Sequence, residues 1–166
     1  PPKNFTGIPK QTATFVAIGG QLAGIITFKD DIRPEAKQML KRLKKLGISN
    51  TFLITGDNKT VAAAVAKNLG ISQIQADALP ADKLRPIEAI TNRPVAFVGD
   101  GVNDALSLVK ADLGIAMGRI GTQVAQEAAD MILLDDKFGS IVAAIEEGRR
   151  MHTLISRTVA YLLSTN

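Results

Sequence analysis

Apolar and polar positions alternate in short blocks along this chain, and the period changes from block to block. "ATFVAI" and "LAGIITF" are apolar runs flanking Gly19-Gly20, which predicts two strands joined by a tight hairpin turn. In "RPEAKQMLKRLKKLG" the residues Ala36, Met39, Leu40, Leu43 and Leu46 recur at helical spacing, so the segment reads as a helix with one apolar face. Pro34 suits its first turn and Gly47 the position just past its end. "NTFLIT" predicts a short strand, "KTVAAAVAKNLG" a helix closed by Gly70, "SQIQA" a weak strand, and "PADKLRPIEAIT" a short helix limited by Pro86. "PVAFV" reads as a buried strand and "NDALSLVKA" as a short helix. "LGIAM" and "MILL" are further strands around the helix "TQVAQEAA". From Phe138 onward, Ile141, Val142, Ile145, Met151, Ile155, Val159 and Leu162 outline a long terminal helix in which Gly148 is a weak point.

Strands alternating with helices at this spacing predict an α/β fold, a Rossmann-like parallel sheet with helices on both faces. Ligands of such sheets bind beyond the carboxyl ends of the strands. The informative residues are therefore those that follow each strand.

Composition narrows the chemistry. There is no cysteine and a single histidine, His152, among 166 residues. The first excludes a disulfide scaffold, a thiolate metal site and a cysteine nucleophile, and the second leaves little room for a His-based metal cluster or a Ser-His-Asp triad. The net charge of +4 comes largely from "KRLKK" and "EEGRRMHTLISR", most simply solvated helix faces. With 4% aromatic residues and no Trp, a base-stacking platform is not expected, and no nucleic-acid partner is assigned. "PPKNFTGIPKQT" has no signal-peptide core, and no run of about 18 apolar residues occurs.

Four polar signatures fall near the strand ends. "GIITFKDDIR" closes on Asp30, Asp31 and Arg33, "FLITGDN" on Thr55, Gly56 and Asp57, and "AFVGDGVND" on Asp100, Asn103 and Asp104; "LPADK" brings Lys83 to a helix start. Singly, these are ordinary turn acids, helix caps and a surface lysine. Jointly, in a parallel sheet, they converge on one edge. Carboxylates can hold Mg²⁺, while a hydroxyl, backbone N–H groups and an ammonium surround phosphate oxygens. Glycines 56, 99 and 101 allow close backbone approach. Phosphoryl transfer is the chemistry that this set serves.

The motifs "TGDN", "LPADK", "GDGVNDA" and "GTQVAQEAADMILLDD" together resemble the phosphorylation domain of P-type ATPases, cation pumps of the haloacid dehalogenase superfamily. The resemblance runs from about Ala13 to Asn166. It implies that Asp100 ligates Mg²⁺, that Thr55, Gly56 and Lys83 contact the phosphoryl group, and that Asn103 and Asp104 support metal and phosphate, with Asp104 also at the metal. It further implies that Asp57 helps position the ribose of ATP, and that Asp30 and Arg33 belong to the hinge towards a nucleotide-binding domain. Residues 1–137 then form part of the phosphorylation domain. Residues 138–166, "FGSIVAAIEEGRRMHTLISRTVAYLLSTN", are similar to the stalk leading towards a membrane segment, nearest to calcium-type pumps, whereas "ADALPADK" is nearer to the heavy-metal branch. The implied location is a cytoplasmic domain of a membrane protein.

Two departures stand out. Leu106-Ser107 replaces the family's Pro-Ala after "GDGVNDA", and the Asp-Lys-Thr-Gly-Thr nucleophile motif is absent. The implied partners are then the remainder of a pump: the nucleophile strand, a nucleotide-binding domain, transmembrane helices and the transported cation. A sheet lacking its middle strand carries two unpaired edges. Three outcomes are expected: a strand from another chain, "GIITF" sliding into the gap, or closure of the flanking strands. Two other readings stay open: a stand-alone phosphatase using Asp30 or Asp31 as nucleophile, and a non-catalytic module binding Mg²⁺ or phosphate.

Overall fold

The computed structural model describes residues 12–28 and 31–164. The chain divides after Arg33 into two compact units. The first contains β1 (Thr12–Ile18) and β2 (Gln21–Phe28), an antiparallel pair turning through Gly19 and Gly20. Both glycines have positive φ, 58° and 79°, as a two-residue hairpin turn requires.

The second unit alternates helix and strand: α1 (Pro34–Lys45), β3 (Phe52–Ile54), α2 (Lys59–Leu69), β4 (Gln73–Gln75), α3 (Leu84–Ala89), β5 (Ala96–Gly99), α4 (Ala105–Lys110), β6 (Leu113–Met117), α5 (Gln123–Ala128), β7 (Met131–Leu133) and α6 (Phe138–Ser164). Single 3₁₀ turns at Pro80–Lys83 and Val102–Asp104 lead into α3 and α4. β3 pairs with β4, and β5–β6–β7 form a second sheet, all parallel.

β6 shows why its sequence is almost wholly apolar. Its odd positions Ile115 and Met117 pack with Leu133 against Ile141, Phe138 and Ile145 of α6. Ala116, on the opposite side, packs with Leu108 of α4 and Ala125 of α5. Alternation along a strand sends neighbours to opposite faces, so a central strand with helices on both sides must be apolar at every position. Ser107 of α4 is fully buried in this region, and its hydroxyl has no hydrogen-bond partner among the described residues. Replacing it with alanine removes an unsatisfied polar group and improves helix propensity. Ser107→Ala is expected to raise stability by about 1 kcal/mol, read as a melting temperature roughly 2–4 °C higher.

The sheet does not close across its middle. β3 has β4 on one side and β5 has β6 on one side, and Gly24–Phe28 pairs with β1. Of the closures expected within the chain, that of the flanking strands does not occur among the described residues. The reason is mechanical. α1 packs against α2 and α6, and α3 packs against α4, so helix contacts set the spacing of the two sheets. β3 and β5 have only three and four residues, so joining them would add few bonds. Phe52 and Val98 on these strands are 41% and 37% exposed, and water can serve the open edges.

α6 is continuous through Gly148. Ile141 and Val142 are buried, whereas Met151, Ile155, Val159 and Leu162 of the same predicted apolar face are exposed. Length explains the difference: 27 residues make a helix of about 40 Å, against roughly 17 Å for a five-residue strand. α1 fastens to the middle of α6 by Arg42–Glu146 at 3.1 Å, and Arg149 donates to the Leu46 carbonyl just beyond the end of α1 at 2.6 Å. Among the described residues, no helix is long and apolar enough to cross a membrane.

Candidate phosphoryl-transfer site

The loop after β5 is built around one carboxylate. Asp104 is buried, and one of its oxygens accepts the Lys83 ammonium at 2.7 Å. The other accepts the backbone N–H of Gly101 at 3.1 Å and of Asp100 at 3.3 Å. The acid thus reaches back to the residues before its own helical turn, as the acid of a capping box does. Gly99 is required for this arrangement: a Cβ there would lie 2.6 Å from the Asp104 Cβ. The Asp100 carbonyl accepts the Thr122 N–H at 2.8 Å, so the backbone is held on both sides of Asp100.

That scaffold leaves the Asp100 side chain exposed at the carboxyl end of β5. Asn103 is likewise exposed on the following 3₁₀ turn. Among the described residues no group of three or more His, Cys, Asp or Glu is arranged to hold a metal. A closed protein cage for Ca²⁺ or Zn²⁺ is therefore not what this loop makes. Mg²⁺ commonly takes one or two carboxylates, several waters and substrate phosphate oxygens, and an open Asp100 fits that demand. Asp104 already has three bonds in this geometry, so direct ligation would compete with Lys83.

The loop after β3 is a second, local cluster. The Thr55 hydroxyl donates to Asp57 at 2.8 Å and accepts the Asp57 N–H at 3.1 Å. Asn58, not Asp57, caps α2 by accepting the Val61 N–H at 3.0 Å, which leaves Asp57 available at the strand end. The segment after β4 is tied to this cluster: Ala78 N–H donates to the Thr55 carbonyl at 3.0 Å, and Asp77 N–H to the Asp57 carbonyl at 2.8 Å. Gly56 is exposed between them. Five residues beyond Ala78 lies Lys83, so the covalent chain alone keeps the Cα atoms of Ala78 and Lys83 within about 18 Å; the 3₁₀ turn Pro80–Lys83 shortens that span further. Arg33 and Asp31 belong to the first unit, and Asp30 lies outside the described residues.

The pairing of Lys83 with Asp104, invisible as a contact in the sequence, is the strongest link in the site. Asp136, Gln126 and Thr122, which build the loop after β6, carried no individual role in the sequence reading. The signal was present only as the motif "GTQVAQEAADMILLDD". At the other end of the same sheet, Arg93 and the Val95 N–H both donate to Asp112 at 2.7 Å. The backbone bond from Val95, then Arg93, hold the Asp112 carboxyl below its ordinary range, and the contact fastens the starts of β5 and β6 together.

The fold is an open parallel α/β arrangement with acids and a lysine at the strand ends. A family profile described as haloacid dehalogenase-like hydrolase matches residues 5–112, and the chain belongs to that family. It is similar to the cadmium, zinc and cobalt-transporting ATPase of Bacillus subtilis, 38% identical over 92% of this chain and 22% of that protein. It is also 38% identical to the manganese-exporting P-type ATPase of Mycobacterium leprae, over 94% of this chain and 22% of that one. Among solved structures, a zinc-transporting PIB-type ATPase in its E2P state superposes with a TM-score of 0.76 at 37% identity, covering 90% of this chain and 24% of the pump. The chain thus spans between a fifth and a quarter of the length of these relatives.

Proposed function

We propose that this chain is the part of a P-type ATPase phosphorylation domain that supplies Mg²⁺- and phosphate-binding residues to an aspartyl-phosphate whose nucleophile lies outside residues 1–166. Residues 1–137 belong to that domain, and 138–166 form the stalk-like helix leading towards the membrane. The parent is an ATP-driven pump with this domain on its cytoplasmic side. The names of the relatives and the "ADALPADK" segment favour a transition-metal or heavy-metal cation as cargo.

The observation that carries the reading is the pair of half-buried Lys83 with buried Asp104, beside the open Asp100 carboxylate. Lys83 presents positive charge to phosphate oxygens while Asp104 keeps it aimed and holds the Asp100–Gly101 backbone. Thr55, once its hydroxyl turns from Asp57, and Gly56 offer a hydroxyl and a backbone N–H to the same phosphoryl group, and Asn103 stands at the rim. Asp57 serves the nucleotide ribose, and Asp30 and Arg33 the hinge. Mg²⁺ bound at Asp100 would neutralise phosphate charge.

Calorimetric titration with Mg²⁺ and inorganic phosphate tests the assignment. Binding by the chain, its loss in Asp100→Asn, and no turnover of a generic phosphate ester are expected. Ester hydrolysis that disappears in Asp30→Ala would overturn the reading in favour of a stand-alone phosphatase.

A further inference from the structure

We propose that Asp136 is a positioning residue for the Asp100 loop, acting through the segment that follows β6. The proposal rests on the reading of Asp100 as the Mg²⁺ carboxylate. Asp136 is buried and stands just before α6, with φ at 54°. One of its oxygens accepts the backbone N–H groups of Gly118 at 2.7 Å and Arg119 at 3.0 Å, and the other accepts that of Ile120 at 3.0 Å. Three successive amides therefore point at one carboxylate. From the other side, the Gln126 side-chain amide donates to the carbonyls of Gly118 at 2.9 Å and Gly121 at 3.0 Å. The turn is thus gripped through both its donors and its acceptors.

The next residue delivers the consequence. Thr122 caps α5 through its hydroxyl, which accepts the Ala125 N–H, and its own N–H reaches the Asp100 carbonyl at 2.8 Å. Asp104 holds the N–H side of Asp100, and Thr122 holds the carbonyl side. Only the first of these is anchored within the loop itself. The second depends on where the 118–121 turn puts Thr122, and that turn is set by Asp136 and Gln126. Its neighbour Asp135 has the ordinary helix-start task, accepting from Lys137 N–H and the Ser140 hydroxyl. The two adjacent acids of "LLDD" therefore do different work, one facing α6 and one facing the site loop.

The left-handed backbone at Asp136 selects informative variants. Glycine and asparagine both tolerate positive φ, so neither adds backbone strain. Asp136→Gly deletes all three acceptor bonds. Asp136→Asn can keep the oxygen shared by Gly118 and Arg119 but turns an NH₂ towards the Ile120 N–H. Gln126→Ala releases the turn from the opposite side and leaves Asp136 in place, so it decides the matter should Asp136→Gly fail to fold.

The test is NMR of the chain titrated with Mg²⁺, read at the Asp100 and Gly101 amides, together with hydrogen exchange at the Thr122 amide. Asp136→Gly and Gln126→Ala are expected to weaken Mg²⁺ binding about 10-fold, at the lower end of the range for outer-shell partners of a metal, and to speed exchange at Thr122. Asp136→Asn is expected to fall between them and the unchanged chain. Arg93→Ala, which breaks the distant bonds to Asp112 and to the Ile87 carbonyl, controls for general loss of stability and is expected to leave Mg²⁺ affinity unchanged. Faster exchange at Thr122 with unchanged Mg²⁺ affinity would overturn the positioning role, as would a loss in Arg93→Ala equal to that in Gln126→Ala. Mg²⁺ binding by Asp100→Asn equal to that of the unchanged chain would overturn the metal assignment itself and the inference with it, an outcome read without any Asp136 variant.

Discussion

Asp104→Ala is expected to destabilise the chain by about 3 kcal/mol, the lower end of the range for breaking a buried ion pair from one side. The side chains of Lys83 and Asp104 are 18% and 9% exposed, so the lysine left behind can recover only part of its hydration in place. The variant also strands the N–H groups of Asp100 and Gly101, both bonded to Asp104. The melting temperature should fall by roughly 6–12 °C. Lys83→Ala should cost less, because Asp104 keeps its two backbone donors and the shortened side chain lets water reach the oxygen that Lys83 leaves. A double-mutant cycle on the pair isolates their coupling. Asp104→Ala melting within a degree of the unchanged chain would refute the account of the loop.

Gly114→Ala tests how the sheet sets the site. A Cβ on Gly114 would lie 2.5 Å from the Leu108 carbonyl oxygen and 3.0 Å from its carbon. These are backbone atoms of α4, so no side-chain rotation relieves the clash. α4 would have to move off β6, carrying Asp104 at its start away from Lys83. About 3 kcal/mol of stability is expected to be lost, the upper part of the overpacking range, with shifted NMR resonances at the Asp100 and Gly101 amides. An unchanged melting temperature and unshifted amides would contradict the close approach.

Most of the candidate site was legible because its parts are local. Thr55, Gly56 and Asp57 occupy one strand-end turn, and Asp100, Asn103 and Asp104 another, so spacing alone marks them. Asp57 was harder to place by spacing, since it sits beside Asn58; only the folded structure shows that Asn58 takes the α2 cap. The Lys83–Asp104 contact spans 21 positions, and no local rule connects them. Asp136 was hidden for a related reason. An acid before a helix already has a sufficient explanation in the helix N-terminus, and its actual partners lie 16 to 18 positions earlier.

The open middle of the sheet shows the limit from another side. Hydrophobic patterning predicts that β3 and β5 are strands, and each is. It carries no information on whether they neighbour each other, because edge and interior strands differ in partners more than in composition.

What the chain's residues decided unaided is the succession of elements, through period, capping and turn chemistry that act over a few positions: the Gly19-Gly20 turn, the α1 face, the apolar β6 and the acids that end β5. What folding alone decided is which of those ends meet. Lys83 reaches Asp104, Thr122 reaches the Asp100 carbonyl, and the two sheets stay apart, because helix packing over long sequence separations, not any local preference, sets those distances.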